Sequence, residues 1–365
     1  MKVALVHDYI KEYGGAERVL EALSEIYPEA PIYTAFCDKN STAYFHFKSK
    51  KIISSWFNYL PFSPQLASIL RFLTPFIWGS FDLSNYDLVI SSASWFITKG
   101  FKNSKSHFTE ICYCHTPPRW LYGYVTSVNW QKYTVVRAYA LIVGHFLRLY
   151  DFKQAQKVDY FIANSKEVAA RIKKFYRRDS TVIYPPVSLP QVSNVKKQDY
   201  YFIVSRIVGA KGLELAVDAA LKAGFKLRIA GSSAGYYFEH DKLVKKAQGK
   251  VEFLGQVSDE ELVKLYNGAK AFLALAKDED FGITPVESML TGTPVIAYNG
   301  GGYKETVVDG KTGLLFDDYS VDGLLFVIKK FEKMKFNSLE IQKYAERFSK
   351  DRFKKEIEEF IEKHA

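Results

Sequence analysis

Short apolar runs of strand length alternate with segments of helical period along nearly the whole chain. Lys2–Asp8 predicts a buried strand, followed by a Gly14-Gly15 turn and a helix over Ala16–Ile26. Runs at Ala30–Phe36, Tyr86–Ser91, His107–Cys114 and Val158–Ala163 predict further strands, the last leading into a helix over Lys166–Phe175. Thr181–Tyr184 predicts one more, stopped by Pro185-Pro186. Residues 188–199, rich in Pro, Ser, Asn and Gln, read as a linker. Beyond it the pattern restarts, with strands at Tyr200–Ser205, Lys226–Ala230, Val251–Leu254, Ala269–Lys277 and Pro294–Ala297. Between them fall helices at Leu213–Lys222 and from the capping box Ser258-Asp259-Glu260-Glu261 to Tyr266. Strands alternating with helices mean parallel sheets covered on both faces. The expectation is therefore an α/β protein of two Rossmann-like, doubly wound domains facing a cleft, residues 1–187 and 200–344. The charged helical tail 345–365 is expected to complete the first domain.

Composition narrows the classes. The chain has 365 residues, ample for two cores, and is rich in aromatics, with 28 Phe, 25 Tyr and 5 Trp. Met1-Lys2 leads straight into a strand, so no signal peptide is expected, and no apolar run reaches the length of a membrane span. Three cysteines, an odd number, suit a reducing cytosol. Cys112 and Cys114 alternate on a strand before His115, but zinc would need a fourth ligand and only distant Cys37 offers another thiolate. The net charge of +10 is uneven: residues 1–190 hold 23 Lys and Arg against 14 Asp and Glu. A basic half suits nucleic acid, an anionic membrane surface or phosphorylated ligands. No nucleic-acid-binding motif accompanies it, so no nucleic acid partner is expected.

The chemistry concentrates in Glu279-Asp280-Phe281-Gly282-Ile283-Thr284-Pro285-Val286-Glu287, a turn from an apolar strand into a helix. Gly282 permits a tight turn, and the amides of Ile283 and Thr284 open a helix without backbone partners, a ready anion site. Two carboxylates, Glu279 and Glu287, flank it eight residues apart. Ionised carboxylates are strong acceptors for sugar and ribose hydroxyls. A phosphate held between two polyols is a nucleotide sugar. A purely local reading competes: Thr284-Pro285-Val286-Glu287 also fits a capping box with Thr284 as N-cap. Asp278-Glu279-Asp280 resembles a metal-binding acid pair, but hard cations need several converging oxygens and no metal site is assigned. Arg206 and Lys211, just past the predicted strand Tyr200–Ser205, lie at the ligand edge of a parallel sheet and suit a diphosphate.

Taken together, Arg206-x4-Lys211, Glu279-x7-Glu287, Gly300-Gly301-Gly302-Tyr303-x-Glu305 and Gly310-x2-Gly313 resemble the family 4 retaining glycosyltransferases of the GT-B fold. His7-Asp8, Gly14-Gly15-Ala16-Glu17-Arg18 and Tyr113-Cys114-His115-Thr116-Pro117 look like the bacterial mannosyltransferase branch. The resemblance implies that Glu287 holds the donor ribose and that Glu279 approaches hydroxyls of the transferred sugar. It implies that Arg206 and Lys211, with the amides of Gly282, Ile283 and Thr284, neutralise the departing diphosphate without a metal. Gly15 would face the phosphates from the first domain, and His115 would lie near the donor sugar. Without the resemblance, His115 reads as a structural histidine at a strand end.

The activity so implied is transfer of a hexose, mannose from GDP-mannose, onto a glycan or lipid-linked acceptor. A UDP-sugar transferase, a nucleotide-sugar 2-epimerase and a non-enzymatic nucleotide-sugar binder are the alternatives. Phe45–Phe81 fits neither a strand nor a good amphipathic helix. Its aromatics mixed with Lys48, Lys50, Lys51 and Arg71 suit either the first domain's core or an anionic membrane surface. The second reading places the protein in the cytoplasm, peripheral at the inner face of the cell membrane.

Overall fold

The computed structural model describes the chain except residues 105, 127–133, 191–194, 207–208, 233–236 and 248. Part of the expected linker, 191–194, lies outside the described residues. The chain divides into two compact units, the first built on Met1–Tyr124, Trp130–Pro186 and Lys350–Ala365, the second on Val187–Ser349.

The first unit holds seven strands: β1 (Val3–His7), β2 (Ile32–Thr34), β3 (Ile52–Ser54), β4 (Leu88–Ala93), β5 (Thr109–Cys114), β6 (Tyr160–Ala163) and β7 (Thr181–Val182). They pair in the order β3-β2-β1-β4-β5-β6-β7, every pairing parallel. β1 and β4 are buried along their whole length, which is why both read as unbroken apolar or small-residue runs. The second unit holds β8 (Tyr201–Val204), β9 (Leu227–Ala230), β10 (Val251–Gly255), β11 (Ala271–Ala274), β12 (Val295–Tyr298) and β13 (Gly313–Phe316). Their order is β10-β9-β8-β11-β12-β13, again all parallel. In each sheet the winding reverses once, between β1 and β4 and between β8 and β11. Such switch points open a crevice at the carboxyl ends of the strands, where ligands bind.

The elements not anticipated from sequence include β13 and the helices Tyr237–Ala247 and Val321–Phe331 of the second unit, and β3 and a long helix of the first. β3 is a three-residue, half-buried edge strand inside Phe45–Phe81, set by its pairing with β2. The 24-residue helix Thr134–Lys157 carries apolar residues around its circumference, so no single stripe announces it. Leu147 faces the core while Leu141, Ile142, Phe146 and Leu149 face solvent.

The tail divides between the units. Helix Ser338–Ala345 stays with the second, burying Ile341 and Ala345. Helix Lys350–His364 joins the first, where Phe353, Ile357, Phe360 and Ile361 enter the core formed by Leu20, Leu23 and Tyr113. The Phe353 ring meets Tyr113 edge-on at 5.7 Å, and Lys350 and Lys354 each reach Glu25 at 2.6 Å. Because the aromatic contact is buried and the ion pairs are partly exposed, the ring should dominate this attachment. Phe353→Ala is expected to destabilise the first unit by about 3–5 kcal/mol. Urea unfolding followed on that unit checks it.

Candidate active site

In the second unit the site is built at the β8/β11 switch point. β11 ends at Ala274, the chain turns, and the helix Ile283–Leu290 begins with Gly282 as its N-cap at φ +89°. A side chain at Gly282 would strain that backbone and press its Cβ to 2.8 Å from the Tyr303 ring. Thr284 is therefore the second helical residue, Pro285 the third and Glu287 the fifth, and no side chain caps the helix. The capping-box reading of Glu287 is not what the fold uses, because the glycine starts the helix two residues earlier. Gly282, Ile283 and Thr284 supply amides at the positive end of the helix dipole.

Glu279 is held from three sides. Lys211 Nζ donates to its Oε2 at 2.8 Å, and the Tyr303 hydroxyl donates to the same oxygen at 3.4 Å. Its carbonyl accepts the Gly302 amide at 2.8 Å. The three-glycine loop lies directly against the turn: Gly301, at φ +52°, would drive a Cβ into the Glu279 carbonyl oxygen. The Lys211 and Glu279 side chains remain 27% and 17% exposed, open to a ligand. Glu287 is buried, and its Oε2 accepts the Tyr266 hydroxyl at 2.7 Å. Arg206 is exposed, two residues past β8. The structure thus brings Lys211 and Glu279 into direct contact and sets Glu287 in the buried layer beneath the helix start.

In the first unit, the register places His7 of β1 beside Ser92 of β4, and Ala93 beside Cys114 of β5. Three neighbouring strands therefore end together. His115 follows β5 directly, with its backbone amide on the Ala93 carbonyl at 2.9 Å. Its Nε2 lies 2.8 Å from Ser92 Oγ, which lies 3.0 Å from His7 Nδ1. His7 Nε2 lies 3.4 Å from Glu17 Oε1, and Glu17 Oε2 accepts the Gly14 amide at 3.0 Å. Gly15 is the first residue of the helix Gly15–Ile26, so this polar chain runs from His115 to the glycine turn. Burial, reinforced by His7, pushes the His115 imidazole down to about 3. The ring is neutral at physiological pH. Asp8, next to His7, accepts from the amides of Ser94, Trp95 and Phe96 and the hydroxyls of Ser94 and Thr98. It serves to fold that loop.

Sequence reasoning missed Ser92, Tyr266 and Tyr303 as partners of the site, and missed the connection of His7 to His115. Ser92 and Tyr266 lie in no local motif, and for all of them only strand register and packing make the contacts. Among the described residues no cluster of His, Cys, Asp or Glu has the makings of a metal site.

Residues 188–354, almost the whole second unit, match the family model of glycosyl transferases group 1. The chain is 28% identical over 282 residues to alpha-1,3/1,6-mannosyltransferase ALG2 of Dictyostelium discoideum, covering 64% of each. It is 29% identical over 178 residues to an uncharacterized glycosyltransferase, MJ1178, of Methanocaldococcus jannaschii, covering 48% of this chain and 51% of that one. The chain thus spans about half to two thirds of the length of these relatives. Among solved structures, Anabaena Alr3699/HepE in complex with UDP and glucose superposes with a TM-score of 0.73 at 18% identity, covering 99% of both chains. The lipopolysaccharide outer core galactosyltransferase WaaB gives 0.68 at 17%, covering 100% of both. At these identities the structural likeness establishes the fold: two Rossmann-like α/β domains of the GT-B type.

The depressed His115 value has a consequence for stability. In the folded chain the ring stays neutral down to about pH 3, whereas an unfolded histidine protonates near its ordinary value of 6.5. Between those values the unfolded state binds more protons, so stability falls as pH falls through that window. His115→Gln is expected to lose less stability than wild type between pH 6.5 and pH 4, measured as denaturation midpoints across the range.

Proposed function

We propose that the protein is a retaining, metal-independent hexosyltransferase that moves mannose from GDP-mannose onto a glycan or lipid-linked acceptor. The observation that carries the reading is Lys211 paired with Glu279 beside the Gly282 helix start, at a switch point of a glycosyl transferases group 1 domain. Most charge in such a transfer develops on the departing diphosphate. Two cations, Arg206 and Lys211, with the amides of Gly282, Ile283 and Thr284, supply fixed positive potential for it. Lys211 also orients Glu279, whose carboxylate is then placed to accept hydroxyls of the transferred sugar. Glu287, fixed by Tyr266, is assigned to the ribose. Gly15 and His115 are the contributions assigned to the first unit. Similarity to ALG2 mannosyltransferases supports mannose, and the names of the relatives weigh for transfer over epimerisation. Complexes of HepE with UDP-glucose keep a UDP-sugar donor as the second reading.

The donor test is a thermal-shift comparison in excess chelator. GDP-mannose should raise the unfolding midpoint and UDP-glucose should not, since a ligand bound only by the folded state stabilises it by about 2.7 kcal/mol at a hundred times its Kd. Arg206→Ala and Lys211→Ala should each cost about 2–4 kcal/mol in kcat/KM, the range for one preorganised electrostatic group. Retained activity in either folded variant, or donor binding that vanishes in chelator, would remove the phosphate role or the metal independence respectively.

We also propose that the protein works at an anionic membrane surface on the cytoplasmic side. No helix among the described residues is long and apolar enough to cross a membrane. The Phe45–Phe81 region is part buried and part exposed. Phe47, Phe57, Ile77 and Trp78 pack the core, while Phe45, Tyr59, Phe62, Ile69, Phe72 and Phe76 face solvent, Tyr59 at 82% and Phe62 at 73%. The Tyr139 hydroxyl bonds the Ile69 carbonyl, bringing the exposed Leu141, Ile142 and Phe146 of helix Thr134–Lys157 to the same region. Of the four cations, Lys48 and Lys51 are exposed. Arg71 is instead stacked between Trp95 and Trp120, 4.3 and 4.6 Å from the rings, and Lys50 donates to the Ser24 carbonyl at 2.8 Å. Exposed rings with neighbouring lysines suit the headgroup layer, where each lysine contributes about 1 kcal/mol. Wild type should co-sediment with phosphatidylglycerol vesicles at low salt. Lys48→Glu with Lys51→Glu should abolish that and leave the donor-induced thermal shift intact; unchanged co-sedimentation would count against this surface.

A further inference from the structure

The chain of contacts Glu17–His7–Ser92–His115 fixes more than the orientation of His115, because each group in it has limited hydrogen-bonding capacity. A serine hydroxyl carries one proton, and a neutral imidazole donates from one nitrogen and accepts at the other. The Glu17 carboxylate accepts the Gly14 amide through Oε2 and faces His7 Nε2 through Oε1. An ionised carboxylate only accepts, so His7 Nε2 carries the proton. Taking an imidazolium out of water at this buried position costs desolvation. Burying an imidazolium here would also place it beside a second buried histidine. With Nε2 protonated and the ring neutral, His7 Nδ1 is an acceptor, so the Ser92 hydroxyl proton points to it at 3.0 Å. Ser92 Oγ then has only lone pairs left for His115. The 2.8 Å contact therefore requires a proton on His115 Nε2.

A neutral ring protonated at Nε2 leaves Nδ1 as a lone pair. Among the described residues no hydrogen-bond partner is recorded for that nitrogen, although the ring itself is fixed by Ser92, by the Ala93 carbonyl on its backbone amide, and by Tyr113 at 5.2 Å. We propose that Glu17, His7 and Ser92 are positioning residues that hold His115 as the Nε2–H tautomer and so present Nδ1 as an acceptor for a hydroxyl proton of the sugar substrate. The inference rests on the glycosyl-transfer reading for its ligand but not for its tautomer. It makes the His7 and Glu17 side chains part of the reaction's machinery although neither touches substrate. The low affinity of the His115 ring for protons agrees with it, since a protonated Nδ1 could accept nothing.

The test is in two arms. In protein labelled with nitrogen-15 histidine, long-range proton–nitrogen spectra at neutral pH should give His115 a pyridine-type Nδ1 and a protonated, pyrrole-type Nε2. His115→Gln, by deleting one of the seven histidine signals, assigns them. The opposite pattern in wild type overturns the proposal without any positioning variant having to fold. In the second arm, Ser92→Ala should leave His115 exchanging between tautomers, seen as nitrogen shifts drawn together. It should lower kcat roughly tenfold or more with GDP-mannose, because small misplacement of a positioned group costs up to about a hundredfold. The donor-induced thermal shift should stay unchanged, and melting curves would show whether the variant is folded. A folded Ser92→Ala that keeps wild-type kcat and a single Nε2–H tautomer overturns the proposal. If wild type turns over no nucleotide sugar, the transfer reading falls, while the tautomer arm still decides whether the chain sets His115.

Discussion

In both sheets every neighbouring pair of strands runs parallel, so each connection must cross back over a face and all the strands of a sheet end at one edge. Residues distant in sequence are thereby delivered to one place by register alone. His7, Ser92 and His115 come from three adjacent strand ends of the first sheet. Lys211 and Glu279, separated by 68 positions, follow the two strands that flank the switch point of the second. The winding reverses between those strands, so their loops turn away from each other and leave room for a ligand. Both candidate sites are therefore products of topology before they are products of particular side chains.

The two sites use charge differently because they differ in exposure. Lys211 and Glu279 remain partly open to water, so their pairing costs little desolvation. The His115 chain is buried, and there an unsatisfied polar atom is expensive. Each donor must meet an acceptor, and that requirement converts one carboxylate into a definite proton arrangement three groups away. The same rule governs Asp8, whose five recorded donors fold the loop 94–98 around a buried carboxylate. It also governs Lys99, fully buried against Asp151 and the Tyr176 ring.

The first unit's aromatic wealth is divided by the same balance of burial. Rings such as Phe57 and Trp78 fill the layer under the sheet, and the Trp78 indole donates to the Phe96 carbonyl at 2.7 Å. Others, such as Phe45, Tyr59, Phe62 and Phe76, stand in solvent. Arg71 shows how misleading a local mixture of cations and aromatics can be. Its guanidinium lies between two indoles contributed by residues 24 and 49 positions further on, and so is part of the fold's packing.

What the sequence by itself determined was the fold class, most strand positions and the turn at Gly282. Buried parallel strands read as continuous apolar runs, and a glycine between a strand-length run and a helical one marks the turn that joins them. The Ser258 cap also formed as read, accepting the Glu261 amide at 3.2 Å. Where two local rules competed, the sequence could not choose. Thr284 and Gly282 both offer a helix start, and the contact of the turn with Tyr303 and the glycine loop decided for Gly282. A three-residue edge strand such as β3 gains its definition from its pairing with β2, not from its own pattern. Only tertiary structure could place Tyr266 against Glu287, Tyr303 against Glu279, and Ser92 between two histidines. The reason is physical: hydrogen bonds across a sheet edge depend on register and packing, which no spacing along the chain records.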